Sequence, residues 1–328
     1  MINLENESAK LNALWRNNIR VGSIDALNSV LGSSNSKGLY LVCEAIHDKM
    51  VVDIADEINE KQKRVVLVAG PSSSGKTTFS KRLCIQLWAC GKRPVYIGTD
   101  DYFLDRDQIP FEADGTQDFE TPNAVDIELF NRDIRKLLAG ETVDVPEYNF
   151  ISGKKEFGKR FIKLKQGQPV VIEGIHALNP LLTPNIQEDE KFRVFVCPLT
   201  QILLEDYKPA NPADLRKIRR IIRDNAKRGW SSSQTIERWP SVAEGEQKYI
   251  YPFAEEADVV FNSSQPYEIA LLRKYSEDLL KEIDENSPVY EEAQRLLSII
   301  LQAEPIKDDF LIEGNSVLRE FIGGSVVD

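Results

Sequence analysis

VVLVAGPSSSGKTTFSKRL, residues 65–83, decides the reading of this chain. It carries an unbroken G-x-x-x-x-G-K-T from Gly70 to Thr77. Such a loop is a phosphate site only where it leaves a strand and opens a helix. Both conditions are met: VVLVA precedes Gly70, and Phe79, Leu83 and Leu87 follow at helical spacing. Gly70 and Gly75 let the backbone amides around Ser72, Ser73, Ser74, Lys76, Thr77 and Thr78 converge on phosphate oxygens. Lys76 reaches the terminal phosphates, and the Thr77 hydroxyl is a ligand for Mg²⁺.

The pattern around the loop is that of an α/β protein. VYIG (95–98), PVVIEG (169–174), RVFV (193–196) and DVVF (258–261) read as further buried strands, separated by longer amphipathic stretches. Parallel strands need such crossovers, and ligands gather beyond the carboxyl ends of their sheet. TPNAVDIELFNRDIRKLLAG predicts a helix with Thr121 as N-cap, Pro122 at its first position, a stripe of Val125, Leu129, Ile134 and Leu138, and Gly140 as stop. Residues 1–62 form a leading segment in which SSNSKG (33–38) reads as a turn and Val42, Ala45, Ile46, Met50, Ile54 and Ile58 recur at near-helical spacing. Residues 63–265 form the phosphate-loop domain, and 266–328 form a helical cap ending SVLREFIGGSVVD, in which no catalytic pattern is legible.

The 328 residues are 42% hydrophobic and 28% charged, the composition of a folded globular protein. A net charge of −11 repels a polyanion, so an anion site must be built locally. Cys43, Cys84, Cys90 and Cys197 form no C-x-x-C, and only His47 and His176 could complete a metal cluster, which argues against zinc. The start, MINLENESAKLNALW, has no basic region followed by an apolar core, and no run approaches the ~18 apolar residues of a membrane span. The expected location is the cytoplasm, with the thiols reduced.

Acids stand where the strands end. TDDYF (99–103) follows VYIG, so Asp100 or Asp101 can accept a hydroxyl proton near the loop, or else cap the next segment. Glu173 closes PVVIEG, where an acid assists Mg²⁺ directly or through water. His176 is left without a role. In DLRKIRRIIRDNAKRG (214–229), Arg216, Arg219, Arg220, Arg223 and Lys227 share one face, opposite Ile218, Ile221, Ile222 and Ala226. Asp214 and Asp224 can pair with some of these cations. Arginine suits phosphate oxygens, so this helix is expected to close over the nucleotide as a lid, with Arg219 and Arg223 acting on the transferred group. A nucleic-acid surface is the rival use of the same face. No N-K-x-D guanine-reading motif occurs, which leaves a small-molecule kinase using ATP ahead of a GTPase.

GPSSSGKTT, TDDYF, DFETPNAVD, VPEYNF, VIEGIHALN and LRKIRRIIRD, in that order over about residues 64–262, resemble the uridine-cytidine kinase branch of the phosphoribulokinase and uridine kinase family. The leading segment and the SVLREFIGGS end are similar to bacterial uridine kinase-like proteins, whose fuller N-terminal region resembles part of threonyl-tRNA synthetase. The resemblance implies a P-loop NTPase fold with a parallel sheet of order 2-3-1-4-5, and phosphorylation of a nucleoside 5′-hydroxyl by ATP and Mg²⁺. Carried over by motif, Asp100 is the hydroxyl-activating acid, Glu120 holds the ribose hydroxyls, and Tyr102 and Tyr148 contact the nucleoside. Arg216, Arg219, Arg220 and Arg223 fall in the lid region. The family's base-reading His is not matched, Gly153 standing near its place, and the ribose acid is Glu rather than Asp. The base, a different hydroxylated metabolite as acceptor, a nucleotide-dependent RNA-binding role and a homo-oligomeric state are left open; no membrane partner is expected.

Overall fold

The computed structural model describes residues 19–109, 117–199 and 202–327; the start of the leading segment lies outside them. In chain order the first elements are α1 (Ile24–Leu31), α2 (Ser36–Glu60), β1 (Val65–Ala69), α3 (Lys76–Ala89) and β2 (Val95–Gly98). Then come α4 (Ile127–Leu138), β3 (Thr142–Asp144), β4 (Glu147–Asn149), β5 (Lys154–Glu156), β6 (Phe161–Lys163), β7 (Val170–Glu173) and β8 (Lys191–Cys197). The chain continues through α5 (Pro212–Arg228), α6 (Ser232–Tyr249), β9 (Val259–Asn262), α7 (Glu268–Lys281), α8 (Tyr290–Ile300) and α9 (Arg319–Ile322).

The apolar runs pair as one parallel sheet in the order β2-β7-β1-β8-β9, which is 2-3-1-4-5 when only its own strands are counted. The parallel α/β sheet is the one that the strand pattern predicts, and its order is the one that the family resemblance implies. Because side chains alternate along a strand, the sheet feeds two cores. Val65, Leu67, Ile97, Ile172 and Phe195 pack with Phe130, Ile134 and Leu137 of α4. Val66, Val68, Val171 and Val194 face the other way, onto Phe79, Leu83 and Leu87 of α3 and Val51, Ile54 and Ile58 of α2. Val317 and Phe321, from the C-terminal segment, join this second core. Both terminal segments therefore help to cover the sheet. Two antiparallel ribbons, β3 with β6 and β4 with β5, complete the strand pairings.

Local readings are corrected in three places. The helix expected from Thr121 begins at Ile127: Asp126 caps it, accepting from the Leu129 amide at 3.0 Å, and Thr121 caps a short 3-10 turn at Pro122–Ala124 instead. Asp has displaced Thr because Val125 stays extended between the two turns. In α2 the buried stripe is rotated: Cys43, Glu44, His47, Val51, Ile54 and Ile58 face inward, and Val42 and Ala45 face solvent. Glu44 can lie inside because Gln265, Tyr267 and Ser316 donate to its carboxylate. The third correction concerns α5. Its isoleucines are buried as expected, but Ala226 is exposed, and Arg216, Arg219 and Arg220 are as buried as the isoleucines.

Burial of those cations is possible because each meets an acid. Arg216 forks onto Glu246 of α6, its Nη2 lying 2.7 Å from Oε2, and Arg219 forks onto Glu268 of α7, its Nη2 lying 2.7 Å from Oε2. Arg219 is 0% exposed and its partner Glu268 1%. Removing one member of such a pair strands the other as an unpaired buried charge. Arg219→Ala is expected to lower the unfolding free energy by about 3–5 kcal/mol in urea titration, with part of that loss recovered in the Arg219→Ala/Glu268→Ala double variant. A loss within experimental error for the single variant contradicts this account.

Candidate functional site

The loop between β1 and α3 has the backbone that its sequence requires. Gly75 takes φ 89° and Ser73 takes φ 57°, which turns successive amides toward one side. A Cβ on Gly70 would lie 2.0 Å from the Val196 carbonyl oxygen, so the strand-to-loop exit admits only glycine. The loop is fastened from behind. Arg216 Nη1 donates to the Ser72 carbonyl at 3.0 Å, Arg219 Nη1 to the Ser73 carbonyl at 3.3 Å, and Arg220 Nη1 to Ser72 Oγ at 2.9 Å. Glu246 Oε1 accepts from the Ser72 amide at 2.9 Å. Lys76 folds back over the loop, with Nζ 3.1 Å from the Pro71 carbonyl.

The acid at the end of β7 meets the loop. Glu173 Oε2 accepts from Thr77 Oγ1 at 3.2 Å and from the Tyr96 hydroxyl at 2.9 Å. Burial raises the Glu173 carboxyl to about 7; the negative charges of Asp100 and Glu320 add to the rise, and Lys76 opposes it. A hydroxyl and a carboxylate, both hard oxygen donors, fit Mg²⁺, which takes one or two protein ligands and fills its remaining positions from phosphates and water.

Asp100 stands in the turn after β2, and its carboxylate is open to the cleft. The Asp100 carboxylate takes no hydrogen bond from the described residues, whereas that of Asp101 accepts from the Tyr148 amide at 3.5 Å and pairs with Arg160 at 3.2 Å. The protein around Asp100 raises its pKa by desolvation, against the pull of Lys76, Arg228 and Arg223. Of the two acids, Asp100 is the one left available. Glu120 lies 3.8 Å from Arg220 and is also raised by burial, with Arg220 opposing.

Several expected roles are corrected by position. Arg216 and Arg219 cannot close over a nucleotide as a lid, because their guanidinium groups are consumed by acids and loop carbonyls inside the protein. For the same reason the basic face offers little to a polyanion. Arg220 and Arg223 stand nearer the cleft, both paired with Asp224, at 3.2 and 2.8 Å. Asp214 pairs with Arg295 of α8 instead. Tyr102 is turned away from the cleft, 0% exposed against Phe130, its hydroxyl 3.4 Å from Asp133. Tyr148 stacks edge-on against Phe103 and Phe150, and its buried hydroxyl has no partner among the described residues. His176 is buried and its pKa falls to about 4 through desolvation, so it is neutral at physiological pH.

Sequence reasoning missed Tyr96, Arg228, Glu246, Glu268 and Glu320. Arg228 was within reach, since it stands eight positions after Arg220 and thus on the same helical face. The others carry no local signal: Glu246 and Glu320 reach the loop directly, Tyr96 through Glu173 and Glu268 through Arg219, each by a long-range contact.

A family model described as Phosphoribulokinase / Uridine kinase family matches residues 65–270, more than half of the chain. The uridine kinase of Ligilactobacillus salivarius (strain UCC118) is 27% identical over 215 residues, covering 65% of this chain and 92% of that protein. The uridine kinase of Deinococcus deserti is 29% identical over 197 residues, covering 60% and 86%. Among solved structures, a D-glycerate 3-kinase from Cryptococcus neoformans var. grubii is 13% identical, with a TM-score of 0.46 over 62% of this chain and 89% of that one. No helix among the described residues is long and apolar enough to cross a membrane. With its phosphate loop, strand-end acids and strand order already in place, the chain belongs to the phosphoribulokinase/uridine kinase family.

Proposed function

We propose that this protein transfers the terminal phosphate of ATP to the 5′-hydroxyl of a nucleoside, with uridine or cytidine as acceptor. The observation that carries the reading is Asp100: a carboxylate unpaired among the described residues, open to the cleft, at the strand end beside the phosphate loop. Its pKa is raised, which makes it a stronger base than an aspartate at its ordinary value. In this reading Asp100 accepts the proton of the attacking hydroxyl. Lys76, Arg223 and Arg228 supply positive charge around the transferred group, and the loop amides hold the donor phosphates. Thr77 and Glu173 would hold Mg²⁺, which neutralises phosphate charge when bound. Glu120 and the Tyr148 hydroxyl, which has no partner among the described residues, are offered to the acceptor's hydroxyls and base. The named relatives support the nucleoside, being uridine kinases themselves.

One observation favours a second acceptor class. Gly153, near the place of the expected base-reading His, sits on Arg106, where an added Cβ would lie 2.8 Å from Arg106 Cβ. A guanidinium there suits an acceptor that carries its own negative charge, such as a sugar phosphate. ATP consumption measured with uridine, cytidine, ribulose 5-phosphate and pantothenate separates the readings, and silence with every pyrimidine nucleoside rules out the first.

Asp100→Asn is expected to lower kcat by about 10²–10⁴ with donor binding retained; near-normal turnover removes Asp100 from the chemistry. A second test follows from Glu173. Its folded pKa of about 7 lies above the reference value of 4.5, so the folded protein binds the extra proton between those values and stability falls as pH rises through that window. In metal-free urea titrations, Glu173→Gln should gain about 3 kcal/mol on the native protein between pH 4 and pH 8. Parallel pH profiles for the two proteins would contradict the shift.

A further inference from the structure

The first turn of α3 is already engaged by the chain's own C-terminal segment. Glu320 Oε2 accepts from the Thr78 amide at 3.1 Å and from the Thr78 hydroxyl at 2.9 Å. Thr78 is the third residue of α3, within the turn whose amides lack partners inside the helix. A phosphate loop presents those amides to its ligand, with its lysine at the outer phosphates and the amides beyond it at the inner ones. An acid therefore sits where an anion would be held.

The segment bearing Glu320 is built into the protein. Val317 and Phe321 are 0% exposed and pack with Phe79 and Leu83 of α3. Val317 lies so close to the loop that a Cβ on Gly75 would come within 2.3 Å of its Cγ1. The Arg219 guanidinium lies 5.0 Å from the centre of the Phe321 ring, and Ser316 Oγ donates to Glu44 of α2 at 2.8 Å. Ser316, Val317, Glu320 and Phe321 all follow the stretch 65–270 that matches the family. The charge of Glu320 reaches across the loop and contributes to the rise at Glu173.

We propose that Glu320 occupies the seat of the donor's innermost phosphate, so that a nucleoside triphosphate binds in competition with the chain's own carboxylate. The inference rests on the donor reading above and adds an autoinhibitory contact to it. One amide and one hydroxyl cannot serve two anions at once, and two like charges at that spacing repel. Release need not unseat the segment. Val317 and Phe321, which anchor the short α9, are fully buried whereas Glu320 is only half-buried, so its side chain can swing out while the apolar anchors stay.

The test compares native protein, Glu320→Gln and Glu320→Ala in two measurements: affinity for Mg²⁺·AMPPNP by calorimetry, and ligand-free stability in urea. A competing carboxylate predicts changes of opposite sign. Affinity for the analogue tightens about tenfold or more while ligand-free stability falls, because a charge-assisted bond to Thr78 has been removed. Unchanged or weaker affinity in both variants overturns the proposal, since a merely structural acid lowers both or neither. Lys76→Ala separates the two layers. If native protein binds the analogue through Lys76 and the Glu320 variants bind no tighter, only the proposal fails; if no variant binds at all, the donor reading fails and takes the proposal with it. Should the variants not fold, the side-chain carboxyl carbon resonance of Glu320 in native protein decides: saturation with the analogue should move it to the position of a solvated glutamate, and an unmoved resonance overturns the proposal.

Discussion

The carbonyls of Ser72 and Ser73 in the phosphate loop are turned into the interior. Buried carbonyls need donors, and water does not reach them. Arg216 and Arg219 supply those donors at Ser72 and Ser73. A guanidinium brought inside needs an acid in turn, and Glu246 and Glu268 answer it. Glu246 then turns back to the Ser72 amide, which closes the circuit. Helices α5, α6 and α7 are thus held in register by one requirement of the loop they support.

This requirement explains how an acidic chain maintains a phosphate site. The arginines that look like a surface stripe are the inner support of the loop, and the charges left at the cleft are Lys76, Arg223 and Arg228 around Asp100. Trp239 lies under Arg216, 5.3 Å from its guanidinium, and Phe321 under Arg219, so apolar rings complete the enclosure of both cations. The positive field is aimed by geometry rather than by net charge.

The segments on either side of the family stretch are part of the same machinery. Glu44 of α2 accepts from Tyr267, Gln265 and Ser316, joining the leading segment, the turn after β9 and the C-terminal segment at one buried carboxylate. Burial raises the Glu44 carboxyl, and the Tyr267 and Ser316 hydroxyls offset part of that rise. From Ser316 the chain runs directly to Val317 at Gly75 and Glu320 at Thr78. A change at the leading helix therefore has a short covalent and hydrogen-bonded route to the phosphate loop.

The sequence by itself determined the sheet and the loop, because both are written in local terms: short apolar runs, a glycine-lysine spacing, acids at strand ends. Asp100, Thr77 and Glu173 were legible for the same reason, each lying within a few residues of a recognisable strand. Helix faces were not. Spacing shows that Arg216, Arg219 and Arg220 share a side, but whether that side meets solvent or a loop carbonyl depends on Glu246 and Glu268, which lie 30 and 49 residues away. Tyr102 followed the same logic, an aromatic beside the key acids that the turn after β2 directs into the core. Only the tertiary structure could decide that Glu320 reaches Thr78 across 242 positions, since a hydrogen bond between distant residues leaves no periodicity in the chain that makes it.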